Sequence, residues 1–230
     1  MHGHVCMHKR WRLIAIIHLN SQLGNETTEN VMYVTDNKKI ARFALKNPDN
    51  LVRMATFVLT TIQASLHSTH NQMLDIDVNG ASSKYLWGNK RDGYLYLHEH
   101  KQVLFAAMKA AVKADDVVGA IDVLTNVPNL GIVKAAFVAQ MLGFNVACID
   151  SHNCDRLGLS RSALKFSKGI KHDLKLKKIA DYVQLTIDTG GAQYWWDTWC
   201  AYVAGNRANK SLDTAQKVSK YHVTAIMQMA

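Results

Sequence analysis

The chain is predicted to be mainly α-helical, and three observations carry that prediction. Apolar residues recur at i, i+3, i+4 and i+7 through most of its 230 residues. Only 2 prolines and 13 glycines interrupt them, which excludes collagen-like and linker-rich architectures. The 48% hydrophobic and 20% charged content is that of a globular chain with a buried core.

The elements follow in order. The leader Met1–Arg12 carries His2, His4, Cys6 and His8 and reads as a flexible terminus rather than a metal site; it lacks the basic, apolar and small-residue order of a signal peptide. Val31–Val34 and Leu74–Val78 alternate briefly and are expected as short strands. Asn37–Leu45 and Asn47–Leu66 are expected as helices. The second is opened by Asn47-Pro48-Asp49, a cap with proline in the first turn, and carries Leu51, Met54, Ala55, Val58, Leu59 and Ile62 on one face. Gly80–Gly93 is polar and glycine-punctuated, so a loop is expected around Trp87. Leu95–Val112 and Asp115–Leu124 are further helices, the latter with an acidic start that suits its dipole. Lys177–Ile187, Ala192–Ala204 and Thr214–Met227 complete the set. Trp195, Trp196 and Trp199, with Tyr194 and Tyr202, make an aromatic stripe of the kind that usually fills a core.

Charge and composition narrow the partners. The formal net charge is +9, a surplus that suits a polyanion or serves solubility. Between Ser162 and Lys178 lie Lys165, Lys168, Lys171, Lys175, Lys177 and Lys178, opposed only by Asp173. That run is either a solvated face or a surface that follows phosphates. The four cysteines, Cys6, Cys148, Cys154 and Cys200, show no C-x-x-C pair, so no zinc or iron–sulfur site and no metal is expected. Reduced thiols fit an intracellular location, in cytoplasm or nucleoid. The apolar stretches Leu13–Leu19 and Val133–Ile149 are too short or too interrupted to span a membrane.

The informative window is Ile121–Leu159. Val127-Pro128-Asn129-Leu130-Gly131 separates two apolar helical runs: Pro128 stops the first and Gly131 opens the second. A bend this short exposes main-chain N–H groups at a helix N-terminus, where they suit a phosphate oxygen. About twenty residues on stands Ile149-Asp150-Ser151-His152, followed by Arg156-Leu157-Gly158-Leu159.

In that register the chain resembles the helix-hairpin-helix DNA glycosylases, the superfamily of endonuclease III and the alkyladenine-excising enzymes. Their hairpin runs leucine, proline, glycine, aliphatic, glycine, two variable residues, alanine; here it is V-P-N-L-G-I-V-K-A, Val127–Ala135. Asn129 replaces the first glycine, and asparagine is the residue that best tolerates a left-handed conformation after glycine. The family's aliphatic, aspartate, threonine or serine, histidine run matches Ile149–His152. Leu59–Ser65 is a weaker echo of the helix-and-glutamine segment that faces the opened duplex.

The resemblance implies a two-lobed helical fold. Residues 50–160 would form one lobe around a hairpin at 115–143, and 1–49 with 161–230 the other. It implies a duplex-DNA partner with the target base flipped out, no cofactor, and a monomer. Asp150 would be the carboxylate that stabilises positive charge on the sugar during base excision; its residue-level alternative is a plain helix N-cap. Asn129, Gly131, Val133, Lys134, Gln63, His152, Lys165 and Lys168 would contact DNA, with Gln63 as the wedge. Bifunctional relatives carry a Schiff-base lysine two residues after the second hairpin glycine, which here is Val133; Lys134 is one residue later, about 100° around the helix. A monofunctional enzyme, hydrolysing or exchanging a damaged or modified base, is therefore expected. A virally encoded enzyme acting on modified bases fits the diverged motifs, and Lys134 either reaches a phosphate or points to solvent. His67, His70, His98 and His100 are available to read a base edge or lie on the surface, and Trp87, Trp195 and Trp199 to wall a pocket. The alternatives are a non-catalytic DNA-binding hairpin module and a basic viral nucleoprotein component.

Overall fold

The computed structural model describes residues 33–167, 169–205 and 224–227, and these are mainly helical, with no strand among them. In chain order the helices are α1 (Tyr33–Ala44), α2 (Pro48–Thr60), α3 (Leu66–Asn79), α4 (Asn89–Glu99), α5 (Lys101–Ala114), α6 (Val117–Leu124), α7 (Ile132–Met141), α8 (Ser151–Leu157), α9 (His172–Asp188) and α10 (Gly191–Gly205). Short 3-10 turns lie at Gly80–Ser82 and Arg161–Leu164, and 224–227 form a helical turn.

α2 is the centre of the molecule. Leu51, Val52 and every residue from Met54 to Thr60 are buried, so it is covered on nearly all sides, as a helix surrounded by others is. α1, α3, α4, α5 and α7 pack around it. Its start matches the sequence: Asn47 caps it, the side chain accepting from the Asn50 N–H at 2.9 Å, and Pro48 opens the first turn. Its end does not. The expected helix to Leu66 stops at Thr60, because the Thr60 and Thr61 hydroxyls donate to the Phe57 and Val58 carbonyls and Gln63 turns left-handed at φ 53°.

Other expectations are corrected likewise. Leu74–Val78 is not a strand but the end of α3, whose buried Thr69, Gln72, Met73 and Ile76 follow helical spacing; the apparent alternation of two aspartates was accidental. Tyr33 and Val34, expected in a strand, open α1. The expected loop at Gly80–Gly93 is half right: Gly80 and Gly88 adopt positive φ, but α4 begins at Asn89. Leu95–Val112 is two helices, broken at His100. In the aromatic stripe of α10, Trp195 and Trp196 are buried and Tyr194 and Trp199 pack against the core half-buried; the Tyr202 side chain lies outside the described residues. The expected helix Thr214–Met227 lies mostly outside the described residues, as does the leader.

Buried residues from α1 to α10 join one apolar cluster that includes Met54, Phe57, Ile121, Leu124, Val127, Leu130, Ile179 and Trp195. α6 and α7, joined by the short bend, pack against each other, and α9 packs on α6. No helix among the described residues is long and apolar enough to cross a membrane.

Candidate nucleic-acid interface

The hairpin is built from its end residues inward. Asp115 terminates α5 in the left-handed region, and Asp116 caps α6 by accepting from the Gly119 N–H at 2.8 Å. α6 ends at Leu124 with Thr125 as its C-cap, and Pro128 keeps the chain out of helix beyond it. Asn129 then takes φ 70°, the left-handed conformation expected of it. Val127 and Leu130, each 1% exposed, plug the bend into the core, while Asn126, Asn129 and Gly131 face solvent.

The main-chain donors of this bend are the telling feature. Leu130 N–H donates to the Val127 carbonyl, and Lys134 and Ala135 N–H both donate to the Gly131 carbonyl. Among the described residues no acceptor meets the N–H groups of Asn129, Gly131, Ile132 or Val133. Gly131, at the N-cap of α7, offers no side chain to satisfy them. The Val133 side chain packs against the core, so only its amide is available to a ligand.

Two distant segments meet here. Lys134 donates to the Thr61 hydroxyl at 3.2 Å and lies 5.7 Å from the centre of the Phe137 ring. The exposed, left-handed Gln63 is therefore on the loop that α7 touches, so the glutamine segment and the hairpin adjoin. From another side α4 closes on the bend. A Cβ on Gly93 would sit 2.5 Å from the Pro128 carbonyl and 3.2 Å from Leu59, so only glycine lets the helix come this close.

Asp150 lies at the end of an apolar extended stretch in which Val146, Ala147 and Ile149 are buried. Tyr182 holds that stretch by donating to the Ala147 carbonyl at 2.6 Å and accepting from the Ile149 N–H at 2.9 Å. The Gln140 side chain accepts from the Cys148 N–H, and Asn153 donates to the Cys148 carbonyl. Asp150 itself is half-buried. Its Oδ1 accepts from the Asn153 N–H at 3.0 Å and caps α8; its Oδ2 accepts from the Trp199 indole at 3.1 Å. Both the N-cap expectation and a firmly oriented carboxylate are thus present. Lys134 and Asp150 both act electrostatically on the Cys148 thiol, Lys134 lowering its pKa and Asp150 raising it. Burial outweighs both and pushes that thiol up to about 12.

The lysine run is partly neutralised. Lys175 pairs with Asp122 at 2.7 Å, tying α9 to the hairpin's first helix, and Lys177 pairs with Asp181 at 3.0 Å. Lys178 donates to the Lys165 carbonyl. Lys165 and Lys171 are exposed. Lys168 and the side chains of His152 and His67 lie outside the described residues. Among the described residues no three His, Cys, Asp or Glu side chains gather so as to hold a metal ion.

Sequence reasoning missed Tyr182, Gln140 and Trp199 as supports of Asp150. Gln140 alone left a signal, a polar residue inside an otherwise apolar helix. Lys90 was missed as well: it is 3% exposed, with its ammonium 4.8 Å from the centre of the Trp87 ring. Comparison with family models, with curated proteins and with solved structures finds no match.

Proposed function

We propose that the chain binds duplex DNA through the α6–α7 hairpin and acts as a monofunctional base-excising or base-exchanging enzyme, with Asp150 as its carboxylate. One observation carries the reading: the bend presents the main-chain N–H groups of Asn129, Gly131, Ile132 and Val133, which meet no acceptor among the described residues, beside Lys134. Such a set suits a phosphate oxygen, because the helix dipole and the aligned amides both favour negative charge there. The strand so held would bring a flipped nucleotide to Asp150, which the Asn153 amide and the Trp199 indole keep in one orientation. A carboxylate fixed beforehand stabilises positive charge on the sugar without reorganising. Gln63, on the loop that Lys134 touches, is the candidate wedge, and the two-lobe division of the fold belongs to the same reading.

The occupation of both Asp150 oxygens by local donors favours a second reading, a DNA-binding module in which Asp150 is only a cap. Asp150→Asn separates the two, since asparagine can still cap α8 through its carbonyl oxygen. Wild type and variant would be assayed on duplexes carrying uracil, oxidised, alkylated or hypermodified bases. The enzyme predicts base release by wild type and a loss of about a hundredfold or more in the variant. The module predicts no release by either protein and equal, salt-sensitive binding by both. A Gly131→Pro protein, which lacks one of the hairpin N–H groups, is expected to bind DNA more weakly while remaining folded; undiminished binding in an anisotropy titration would count against the hairpin.

A further inference from the structure

We propose that Lys90 and Trp87, beside the hairpin, form with Lys134 a nucleotide subsite in which the two ammonium groups hold a phosphate and the indole carries the adjoining base. The inference deepens the hairpin reading and rests on it for the choice of nucleic acid as ligand. Lys90 is the observation that demands an explanation. It lies in the first turn of α4 and only 3% of the residue is exposed, with the ammonium at the point that still reaches solvent; no carboxylate and no hydrogen-bond acceptor among the described residues meets it there. Lysine is almost never this buried without a counter-charge. Its ammonium lies over the Trp87 ring, 4.8 Å from the ring centre.

The direction of Lys90 follows from its helix. Gly93 is one turn further along the same face of α4, and it abuts the Pro128 carbonyl of the bend. Lys90 therefore belongs to the face of α4 that closes on the hairpin, where the amides of Gly131, Ile132 and Val133 lack acceptors. Lys134 rises from the first turn of α7 and is close enough for its charge, after burial itself, to depress the pKa of Lys90. Two like charges held near each other at the edge of the protein interior repel unless an anion sits between them. A phosphate supplies that charge and accepts from both ammonium groups and from the amides. Trp87 is 53% exposed although it is among the largest apolar side chains. An exposed indole beside a phosphate site is what a stacked base requires, and every base presents a π face to it.

The test uses the full chain as wild type, Lys90→Met, Lys90→Arg and Trp87→Ala. The probes are inorganic phosphate, thymidine monophosphate and a fluorescein-labelled 16-nucleotide DNA, single-stranded and duplex. Lys90→Met keeps the buried stem and removes a charge that no protein group pairs, so its melting temperature should stay close to or above that of wild type; this guards against misfolding. Its DNA affinity should fall about tenfold, with the salt slope flatter by about one unit, and Lys90→Arg should restore most of both. Trp87→Ala should weaken single-stranded binding by about five- to a hundredfold and leave inorganic phosphate binding unchanged. If wild type binds DNA and a folded Lys90→Met binds it with equal affinity and slope, the subsite is refuted while the hairpin reading survives. If phosphate or the mononucleotide binds in a Lys90-dependent way but DNA does not, the subsite stands and the DNA reading falls. Binding of none of the probes refutes both.

Discussion

Asp150 shows how one side chain serves local structure and remains available to chemistry. It caps α8 with one oxygen and takes the Trp199 N–H with the other, but each carboxylate oxygen has a further lone pair for a ligand. The cap was legible in the order Asp-Ser-His-Asn, since an aspartate that follows an apolar run and precedes a polar turn is a common helix start. Trp199, 49 residues away, was not, because a contact across helices leaves no periodic trace in the chain. Cys148 gives a test at this scale. With its pKa pushed to about 12, only about one thiol in ten thousand is ionised at pH 8. Native protein treated with iodoacetamide at pH 8 should show almost no alkylation at Cys148 by peptide mass mapping, and full alkylation once unfolded. Ready modification in the native state would mean that the stretch before Asp150 opens easily.

Among the elements, the hairpin was the most legible and the helix ends the least. Proline, asparagine and glycine within four residues define a bend by their backbone preferences alone, and Asn129 takes the left-handed conformation those preferences imply. The strand expected at Leu74–Val78 failed because five residues cannot distinguish period 2 from the edge of a helical face, and Ile76 supports either. Gly93 escaped notice since nothing in the sequence announces what another element will press against it. Its space is so small that Gly93→Ala should destabilise the protein by about 1–3 kcal/mol in urea unfolding, despite alanine's better helix propensity. Asn129→Val should cost about 1–2 kcal/mol, since a β-branched residue resists positive φ, whereas Asn129→Gly should be close to neutral. Wild-type stability in Gly93→Ala would show that α4 and the bend yield to each other.

For the whole molecule, the sequence conveyed a helical, basic chain with a single informative window, and the arrangement of that window depends on α9. Among the described residues Tyr182 alone meets the Ala147 carbonyl and the Ile149 N–H, so Tyr182→Phe should lower stability by about 1–3 kcal/mol through unpaired buried groups. If Asp150 is catalytic, the same variant should also lose base release while retaining DNA affinity. The charge surplus was legible as a number but not as a surface: Asp122 and Asp181 neutralise Lys175 and Lys177, and neither pairing is deducible from a run of lysines. What remains for a polyanion includes the exposed Lys165 and Lys171. Changing Lys165 to glutamine should reduce the salt dependence of DNA binding by about one unit if it meets a phosphate; an unaltered slope would assign it to solvent. The bond from Trp199 to Asp150 has an optical consequence as well. An indole donating to a carboxylate emits according to that neighbour's charge and position, so the protein carries its own fluorophore at the acid. The emission difference between wild type and Trp199→Phe would report, in real time and without a label, when a ligand draws that acid away.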